Sequence, residues 1–332
     1  MKGILLINLG SPEDLKISSI RKYLKEFLSD EYVLDIPKLI RKVLVDFIIV
    51  PFRSPKTKEA YESIWTENGS PLILNTKSIS KKLEKKIKKP VEISMRYQKP
   101  SIEMGLKKLI KKGCDEIIAV PLYPHYAQST SLTTELEVKR LINEINPKIN
   151  LSVSPPFYRE LNYIHSLSES ISNYLPEDFD YLLFSYHGIP ERHVRKMDPT
   201  TSHCLINSDC CEQESEAHKF CYRHQVRVTS KLCAEKLNLG DDQWGISFQS
   251  RIGPGWLQPF TDKVLEDLPS KNINKIAVVC PAFIADNLET LEEVNIRGKE
   301  SFLESGGKEF TFIPCINDND LFIDFLDGFV SE

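Results

Sequence analysis

The chain of 332 residues lacks the features that mark several large classes of protein. It has no Gly-x-Gly-x-x-Gly motif and no P-loop, the glycine-rich turns that hold phosphates in many nucleotide enzymes. Its longest unbroken apolar run, 276–285, contains a proline and is far shorter than the roughly 20 residues of a membrane-spanning helix. The 43 basic residues do not outnumber the 47 acidic ones, and the net charge of −4 argues against a nucleic-acid binder held by a basic surface.

The first apolar run, 3–9, is also too short for a secretory signal and lacks a small-residue cleavage pattern. We therefore expect it to form a core strand of a soluble, cytoplasmic protein. A chain of this length is ample for a sizeable core and suggests about two domains.

Short apolar runs alternate along the whole chain with amphipathic stretches. The stretches 77–88 and 101–112 have helical spacing, and Gly113 closes the second. Strand and helix alternating in this way predict an α/β fold, with parallel sheets flanked by helices. Eight candidate strands divide into two sheets of four: 3–9, 91–97, 116–123, 150–154, 181–186, 244–248, 276–280 and 310–314.

Two of these strands lead into residues that can carry chemistry. The run 181–186 is followed by His187 and Gly188, and the run 276–280 by an acidic segment. Ligands of open α/β sheets bind at the carboxyl ends of strands, so we expect one shared site. His187 is suited to proton transfer near neutral pH, and Gly188 is expected to leave room for a ligand. A purely structural histidine is the alternative.

The acidic segment predicts a row of carboxylates. At 100° per residue, Asp286, Glu289 and Glu293 fall on one face of an α-helix. Crowded carboxylates share protons and bind divalent cations, and together with imidazole they suit Fe(II). A solvated helix face is the alternative for the row, and a helix N-cap is the alternative for Asp286.

Taken as a whole, the chain resembles the ferrochelatase family, whose members insert ferrous iron into a porphyrin to make haem. The resemblance spans nearly the whole chain and rests on long motifs in the same order. These are NLGSP (8–12), RSPK (53–56), SPL (70–72), RYQKP (96–100), PLYPHYAQST (121–130), FSYHGIP (184–190), SFQSRIGPGWLQP (247–259), CPAFIADNLETLEE (280–293) and IPCIND (313–318).

The resemblance implies a lyase with two Rossmann-like domains of the chelatase type and a porphyrin cleft between them. We expect an N-terminal domain over 1–160, completed by a C-terminal helix at 317–332. The C-terminal domain is expected over 161–316, with an insertion at 203–224.

Carried over by motif position, His187 and Glu289 are the catalytic pair. The resemblance implies that His187 removes pyrrole protons, while Glu289, backed by Asp286 and Glu293, binds Fe(II) or relays protons. Which residue first holds the iron is left open. The porphyrin-binding residues implied by the resemblance are the apolar walls Leu9, Tyr123, Trp256 and Phe283, which press the ring out of plane, and the propionate partners Arg53 and Arg96. Ordinary core packing and salt bridging are the alternatives for these six.

Two positions depart from patterns known in the family. Leu9 stands where the coproporphyrin-using branch has a tyrosine, so it resembles the protoporphyrin branch. Asn287 stands where many relatives carry histidine or cysteine, and its amide cannot transfer protons as an imidazole can. A third feature is the apolar stripe within 32–52, for which core packing is the default interpretation. The resemblance implies instead an apolar lip near this position, through which protoporphyrin would enter from the membrane surface.

The insertion 203–224 contains four cysteines, Cys204, Cys210, Cys211 and Cys221. Four cysteines so close together in a cytosolic protein indicate a metal site rather than disulfides. Their spacing lacks the paired C-x2-C of a zinc ribbon. Animal ferrochelatases hold a [2Fe–2S] cluster through a C-terminal extension and a first-domain ligand, and Ala127 occupies that ligand's position here. We therefore expect a separate, internal [2Fe–2S] loop as in some bacterial relatives.

Zinc, held with His203, His218 or His224, and no metal are the alternatives for the loop. The other four cysteines, Cys114, Cys233, Cys280 and Cys315, lie in apolar or helical contexts and are expected to be buried thiols.

The function expected is insertion of Fe(II) into protoporphyrin IX, the last step of haem synthesis. A coproporphyrin III ferrochelatase and a cobalt or nickel chelatase are rival enzymes, and a tetrapyrrole carrier is the rival without catalysis. A carrier would need neither His187 nor the acidic row, and a cobalt or nickel chelatase predicts more histidines at the metal site. Peripheral membrane contact is expected, nucleic acid is not, and the oligomeric state is open.

Overall fold

The computed structural model describes residues 1–331 and contains two four-stranded sheets, both entirely parallel. The first has the strand order β2-β1-β3-β4 and the second the order β6-β5-β7-β8. This confirms the predicted α/β class and the division into four and four. The strands are β1 Lys2–Gly10, β2 Val91–Tyr97, β3 Glu116–Pro121, β4 Asn150–Val153, β5 Tyr181–His187, β6 Trp244–Gln249, β7 Lys275–Val279 and β8 Glu309–Ile313.

Helices connect successive strands, as parallel pairing requires. The α-helices are α1 Ile17–Ser29, α2 Lys38–Val43, α3 Val50–Glu62, α4 Pro71–Ile87, α5 Ile102–Lys111, α6 Thr133–Ile145, α7 Leu161–Ser172, α8 Glu191–Lys196, α9 Tyr222–Lys236, α10 Thr261–Asp267, α11 Lys299–Glu304 and α12 Asp320–Ser331. Wider π-helical turns cover Leu44–Ile49, Gln128–Leu132 and Glu289–Gly298, and short 3-10 helices cover Glu216–Lys219 and Pro269–Lys271. The predicted helices 77–88 and 101–112 correspond to α4 and α5.

The chain divides into two compact units, each containing one sheet. The first comprises Met1–Leu122, Gln128–Pro155 and the residues from Leu326 onward, and the second comprises Tyr123–Ala127 and Pro156–Phe325. In each unit the central strands are buried on both faces, which is why they read as continuous apolar runs in the sequence. Leu5 and Ile7 of β1 pack against Leu106 of α5 in the first unit. Val278 of β7 packs against Phe302 of α11 in the second.

The stripe within 32–52 is mostly exposed, contrary to its default interpretation as core, although Val50 is buried. Six large apolar side chains of α2, the following π-helical turn and the start of α3 are more than half exposed: Leu39, Ile40, Val43, Phe47, Ile48 and Phe52. We call these six residues the apolar patch. Arg41, in contrast, is buried and donates to the carbonyls of Leu34 and Ile36 at 3.3 and 3.1 Å. Within residues 1–331, no helix is both long enough and apolar enough to cross a membrane.

Candidate active site and cysteine loop

His187 is the last residue of β5, at the carboxyl edge of the second sheet. Its ring nitrogen Nδ1 lies 2.6 Å from the carbonyl oxygen of Gly188. Because a carbonyl can only accept, Nδ1 carries the proton and the neutral ring has its lone pair on Nε2. The hydroxyl of Tyr222 donates to the His187 carbonyl at 2.9 Å, and the Phe283 ring meets the imidazole edge to face. The side chain is therefore held as a base with one defined basic atom.

The sequence suggested that Gly188 leaves room for a ligand, but the structure has no open space at this position. A Cβ atom at this position would lie 2.9 Å from the Gln249 carbonyl and 3.3 Å from the Trp256 ring. The missing side chain instead lets β5 continue its pairing, because the Gly188 amide donates to the Gln249 carbonyl at 2.8 Å. The glycine brings Trp256 close to the end of β5.

Glu289 lies in the first turn of the helix that follows β7. The helix is capped reciprocally: the Asn287 side chain accepts from the Thr290 amide at 3.1 Å, and the Thr290 hydroxyl accepts from the Asn287 amide at 3.0 Å. Burial raises the pKa of Glu289, and the nearby His187 opposes that rise. Asn287, the departure from the family pattern, thus supports the helix turn that carries Glu289.

The predicted row of three carboxylates is not present in the form expected. The segment Glu289–Gly298 is a π-helix, so the 100° spacing of an α-helix does not apply, and Asp286 precedes the helix. Asp286 accepts from the Cys315 amide, the Asn317 side chain and the Thr290 hydroxyl, at 3.1, 2.7 and 3.1 Å. Asp286 therefore links the loop after β8 to the start of the helix through hydrogen bonds. Its side chain does not act as the N-cap of the helix.

The carboxylate of Glu293 is likewise hydrogen-bonded within the protein. Its carboxylate accepts from both the amide and the hydroxyl of Ser250, with the amide at 2.7 Å. Ser250 has a φ of 65°, a conformation that L-residues seldom adopt. No group of three or more histidine, cysteine, aspartate or glutamate side chains that could hold a metal ion occurs within residues 1–331. His187 and Glu289 thus form a pair, with the other two carboxylates engaged elsewhere.

Gln249 is a site residue to which the sequence analysis gave no role. It is buried at the end of β6, beside His187 in the register of the sheet. Its side-chain oxygen accepts from the Ser185 hydroxyl at 2.6 Å, and its amide donates to the Glu289 carbonyl at 3.0 Å. One side chain thereby joins the strand that carries His187 to the turn that carries Glu289. The only signal in the sequence is its place in the SFQSR motif.

The six expected porphyrin-binding residues lie in different environments. In the first unit, Leu9 is partly exposed near the end of β1 and Arg53 is exposed on α3. In the second, Tyr123 is buried, whereas Trp256 and Phe283 are partly exposed. Phe283 and Trp256 are the two that lie beside the His187 segment.

Arg96 has the salt-bridged role that was its alternative interpretation. Its guanidinium bonds the Asp30 carboxylate at 2.7 Å and the Thr133 hydroxyl at 2.8 Å. It also lies over the Tyr97 ring, 4.7 Å from the centroid, and the Tyr97 hydroxyl shares Asp30. Only 16% of the arginine side chain and 6% of the aspartate are exposed, so this charge is already compensated within the first unit.

The four cysteines of the insertion are buried, although the segment around them is mostly polar and contains only the 3-10 helix Glu216–Lys219 before α9. The thiol of Cys221 is hydrogen-bonded to those of Cys204 and Cys211. Cys210 receives the Leu205 amide at 3.4 Å and Arg223 at 3.5 Å, and the His224 amide lies 3.4 Å from the Cys221 sulfur. The neighbouring cysteines and burial raise the pKa of both Cys211 and Cys221, so without a metal these two side chains are thiols.

The rest of the loop is held by hydrogen bonds rather than by a core. Asp198 accepts from the amides of Cys204 and His203 at 2.8 and 2.9 Å. The rings of His203 and His218 donate to the Cys210 carbonyl, and His224 donates to the Cys211 carbonyl. The cysteines outside the insertion are buried, as expected.

Known proteins resemble this chain over nearly its whole length. The sequence profile of the family described as Ferrochelatase matches residues 1–332. A ferrochelatase of Opitutus terrae is 44% identical over 98% of this chain and 95% of its own length, and one of Pseudomonas fluorescens is 44% identical over 96% and 94%. Among solved structures, SirB of Bacillus subtilis, described with Fe3+, shares the fold at a TM-score of 0.58. It is 12% identical, and the match covers 100% of this chain and 94% of that one.

Proposed function

The chain belongs to the ferrochelatase family, and from that premise we propose that it inserts Fe(II) into protoporphyrin IX, with His187 as the base and Glu289 as its carboxylate partner. The observation that carries the site assignment is the fixed tautomer of His187, which directs a lone pair from Nε2. Glu289 supports it, because its carboxylate is buried and interacts electrostatically with His187.

The proposed chemistry uses these two side chains in sequence. Nε2 of His187 takes up the pyrrole protons that the metal displaces, one at a time, and passes each on. Glu289 accepts the transferred proton or binds the incoming Fe(II). Its raised pKa makes proton uptake easier than for an exposed glutamate. Trp256 and Phe283 press on the macrocycle so that nitrogen lone pairs point out of its plane.

Two features support protoporphyrin IX as the substrate. Leu9 supplies an apolar side chain where a tyrosine would mark the coproporphyrin branch, and the apolar patch offers a surface on which an apolar porphyrin can arrive. We propose that Arg53, which is exposed, pairs with a propionate, whereas Arg96 is already bound to Asp30. The patch also supports peripheral contact with a membrane.

One anaerobic assay tests this function. Purified protein is given Fe(II) with protoporphyrin IX or coproporphyrin III, and loss of free porphyrin is followed by fluorescence. We expect a kinetic preference for protoporphyrin IX. His187→Ala and Glu289→Ala should each lower kcat by at least about 100-fold while porphyrin still quenches tryptophan fluorescence. A preference for coproporphyrin III would contradict the substrate, and retained activity in both single variants would contradict the site.

We further propose that Cys204, Cys210, Cys211 and Cys221 hold a [2Fe–2S] cluster. The buried, hydrogen-bonded thiols and the amides aimed at Cys210 and Cys221 fit such a group. Such a cluster divides its thiolates two per iron, whereas a single zinc ion would need three or four donors around one point. A bound cluster would supply a redox centre and would cross-link the loop.

The colour of the purified protein tests the cluster. Protein isolated without oxygen should be reddish-brown and should be bleached by dithionite. Cys→Ser at any one of the four positions should remove the colour, whereas Cys114→Ser, in a buried thiol of the first unit, should leave it unchanged. A colourless protein with one equivalent of zinc would replace the cluster with zinc, and a protein with neither metal would refute both.

A further inference from the structure

A cleft of about 730 Å³ lies in the second unit, apart from His187 and Glu289. One wall is formed by α9 and the other by the edge strand β6, with Cys211 and Glu212 of the cysteine loop at its border. The proposed iron-insertion chemistry does not use this cleft, and of the four proposed cluster ligands only Cys211 lines it. Its volume falls within the range of binding sites in proteins.

The β6 wall presents an open strand edge. The Leu182 amide donates to Gln243 and the Gly188 amide to Gln249, so the odd-numbered residues of this strand face β5. The amides and carbonyls of Trp244 and Ile246 therefore face away from β5, into the cleft. Within residues 1–331 no other strand pairs with this side of β6. Such an edge is a template for another strand.

The chain itself shows that this edge accepts an extended neighbour. At the end of β6, the Phe248 amide donates to the Pro259 carbonyl at 2.8 Å, and Phe248 forms a parallel bridge with Phe260. That internal contact covers Phe248 and ends there. Trp244 and Ile246 continue the same row of outward-facing groups beyond it.

The α9 wall carries positive charge. Arg223, Arg227 and Lys231 are spaced at i, i+4 and i+8, which places them along one helix face, and all three line the cleft. Glu212 and Asp241 also line it. Glu212 pairs with Arg227 at 3.3 Å, Arg223 donates to the Ser208 carbonyl at 3.2 Å, and Lys231 lies 3.9 Å from Glu235 with 72% of its side chain exposed. Because three cations face two carboxylates along the cleft, its positive balance favours acidic side chains on whatever occupies it.

From these two walls we infer that the cleft binds an extended, acidic segment of a partner protein, which adds as a strand to the free edge of β6. Its backbone pairs with Trp244 and Ile246, which gives affinity. Its alternate acidic side chains meet the cations of α9, which gives specificity. This inference is independent of the iron-insertion chemistry.

A synthetic strand is the direct probe. A fluorescently labelled seven-residue peptide of alternating glutamate and valine is titrated with the full-length protein, and binding is read as fluorescence anisotropy. We expect saturable binding below about 1 mM that weakens as salt is added. The same peptide with lysine in place of glutamate, or with its alternate amides N-methylated, should not bind.

Two pairs of variants test the two walls separately. Ile246→Pro removes an amide that faces the cleft, a change that edge strands tolerate, and it should abolish binding, whereas Ile246→Val should not. Lys231→Glu should weaken binding about three- to tenfold, whereas Lys236→Glu, the same change on the same helix outside the cleft, should have no effect. Thermal melts show that each variant is folded.

Several results would overturn the inference. These are absent or non-saturable binding, equal binding of the lysine peptide, and binding that neither Ile246→Pro nor Lys231→Glu weakens. A second copy of this chain is the alternative occupant of the cleft. A dimer in sedimentation velocity that Ile246→Pro dissociates would assign the edge to that copy instead.

Discussion

At the scale of the residue, the position of Glu289 depends on Gln249, whose side chain reaches from Ser185 to the Glu289 carbonyl. We expect Gln249→Ala to lower kcat about 10- to 100-fold, because small displacements of reacting groups are costly, while the KM for porphyrin changes little. Ser185→Ala, which leaves the bond to Glu289 in place, should have a much smaller effect. A change in KM alone would assign Gln249 to porphyrin binding instead of positioning.

His125 gives the protein a pH dependence of stability that does not involve the catalytic pair. Thr229 donates its hydroxyl to the Tyr158 carbonyl at 2.7 Å, so Nε2 of His125 must be the donor in its 2.9 Å contact with Thr229. Burial lowers the pKa of this histidine to about 3. The ring is therefore neutral in the folded protein, and the unfolded chain takes up a proton more readily.

The sign of the effect follows from that difference. Between an unfolded pKa of about 6.5 and a folded pKa of about 3, stability falls as the pH falls. Lowering the pH from about 7.5 to about 5.5 should cost about 1.4 kcal/mol from this group alone. His125→Gln should flatten the profile measured by urea unfolding, whereas His165→Gln, at a partly exposed position, should not. An unchanged slope in His125→Gln would show that other groups set the acid sensitivity.

At the scale of the element, the central strands could be predicted because buried parallel strands are uniformly apolar, and their apolar runs therefore show directly in the sequence. The edge strands β4 and β8 are partly exposed and give a weaker signal. The helix after β7 could not be predicted in its true form. An α-helical and a π-helical segment contain the same residue types, so the predicted alignment of Asp286, Glu289 and Glu293 used the wrong spacing. Strand ends pointed to His187 and to the acidic segment, and the choice of Glu289 came from the family resemblance. Gln249 was missed because its role depends on contacts between elements.

The reciprocal hydrogen bonds between Asn287 and Thr290 allow the role of the helix after β7 to be tested. Asn287→Ala removes the acceptor for the Thr290 amide and should lower the free energy of unfolding by about 1 kcal/mol. It should also lower kcat, because Glu289 lies in the turn that the cap closes. Asn287→Ser, another good capping residue, should retain most of both. If the alanine variant is fully active and stable, the cap does not determine the position of Glu289.

At the scale of the whole molecule, the sequence could show that 32–52 is amphipathic but not which face other elements cover. The same periodicity suits a core helix and an exposed one, and the structure leaves Leu39, Phe47 and Phe52 71–79% exposed. Lys38 and Lys42 are exposed beside them, although the net charge of the chain is −4. The combination of apolar and cationic side chains on one short segment suits the interface of an anionic membrane.

We therefore expect the protein to bind vesicles of phosphatidylcholine with about one quarter phosphatidylglycerol, measured by co-sedimentation, and to be partly released by salt. Phe47→Ser and Leu39→Ser each remove an exposed apolar group from the patch and should weaken binding about tenfold without loss of thermal stability. Leu161→Ser is the matched control, because Leu161 is 78% exposed but lies outside the patch. If the Phe47 and Leu161 variants bind vesicles equally well, the apolar patch does not make the membrane contact. If the unmodified protein does not bind vesicles at all, there is no such contact.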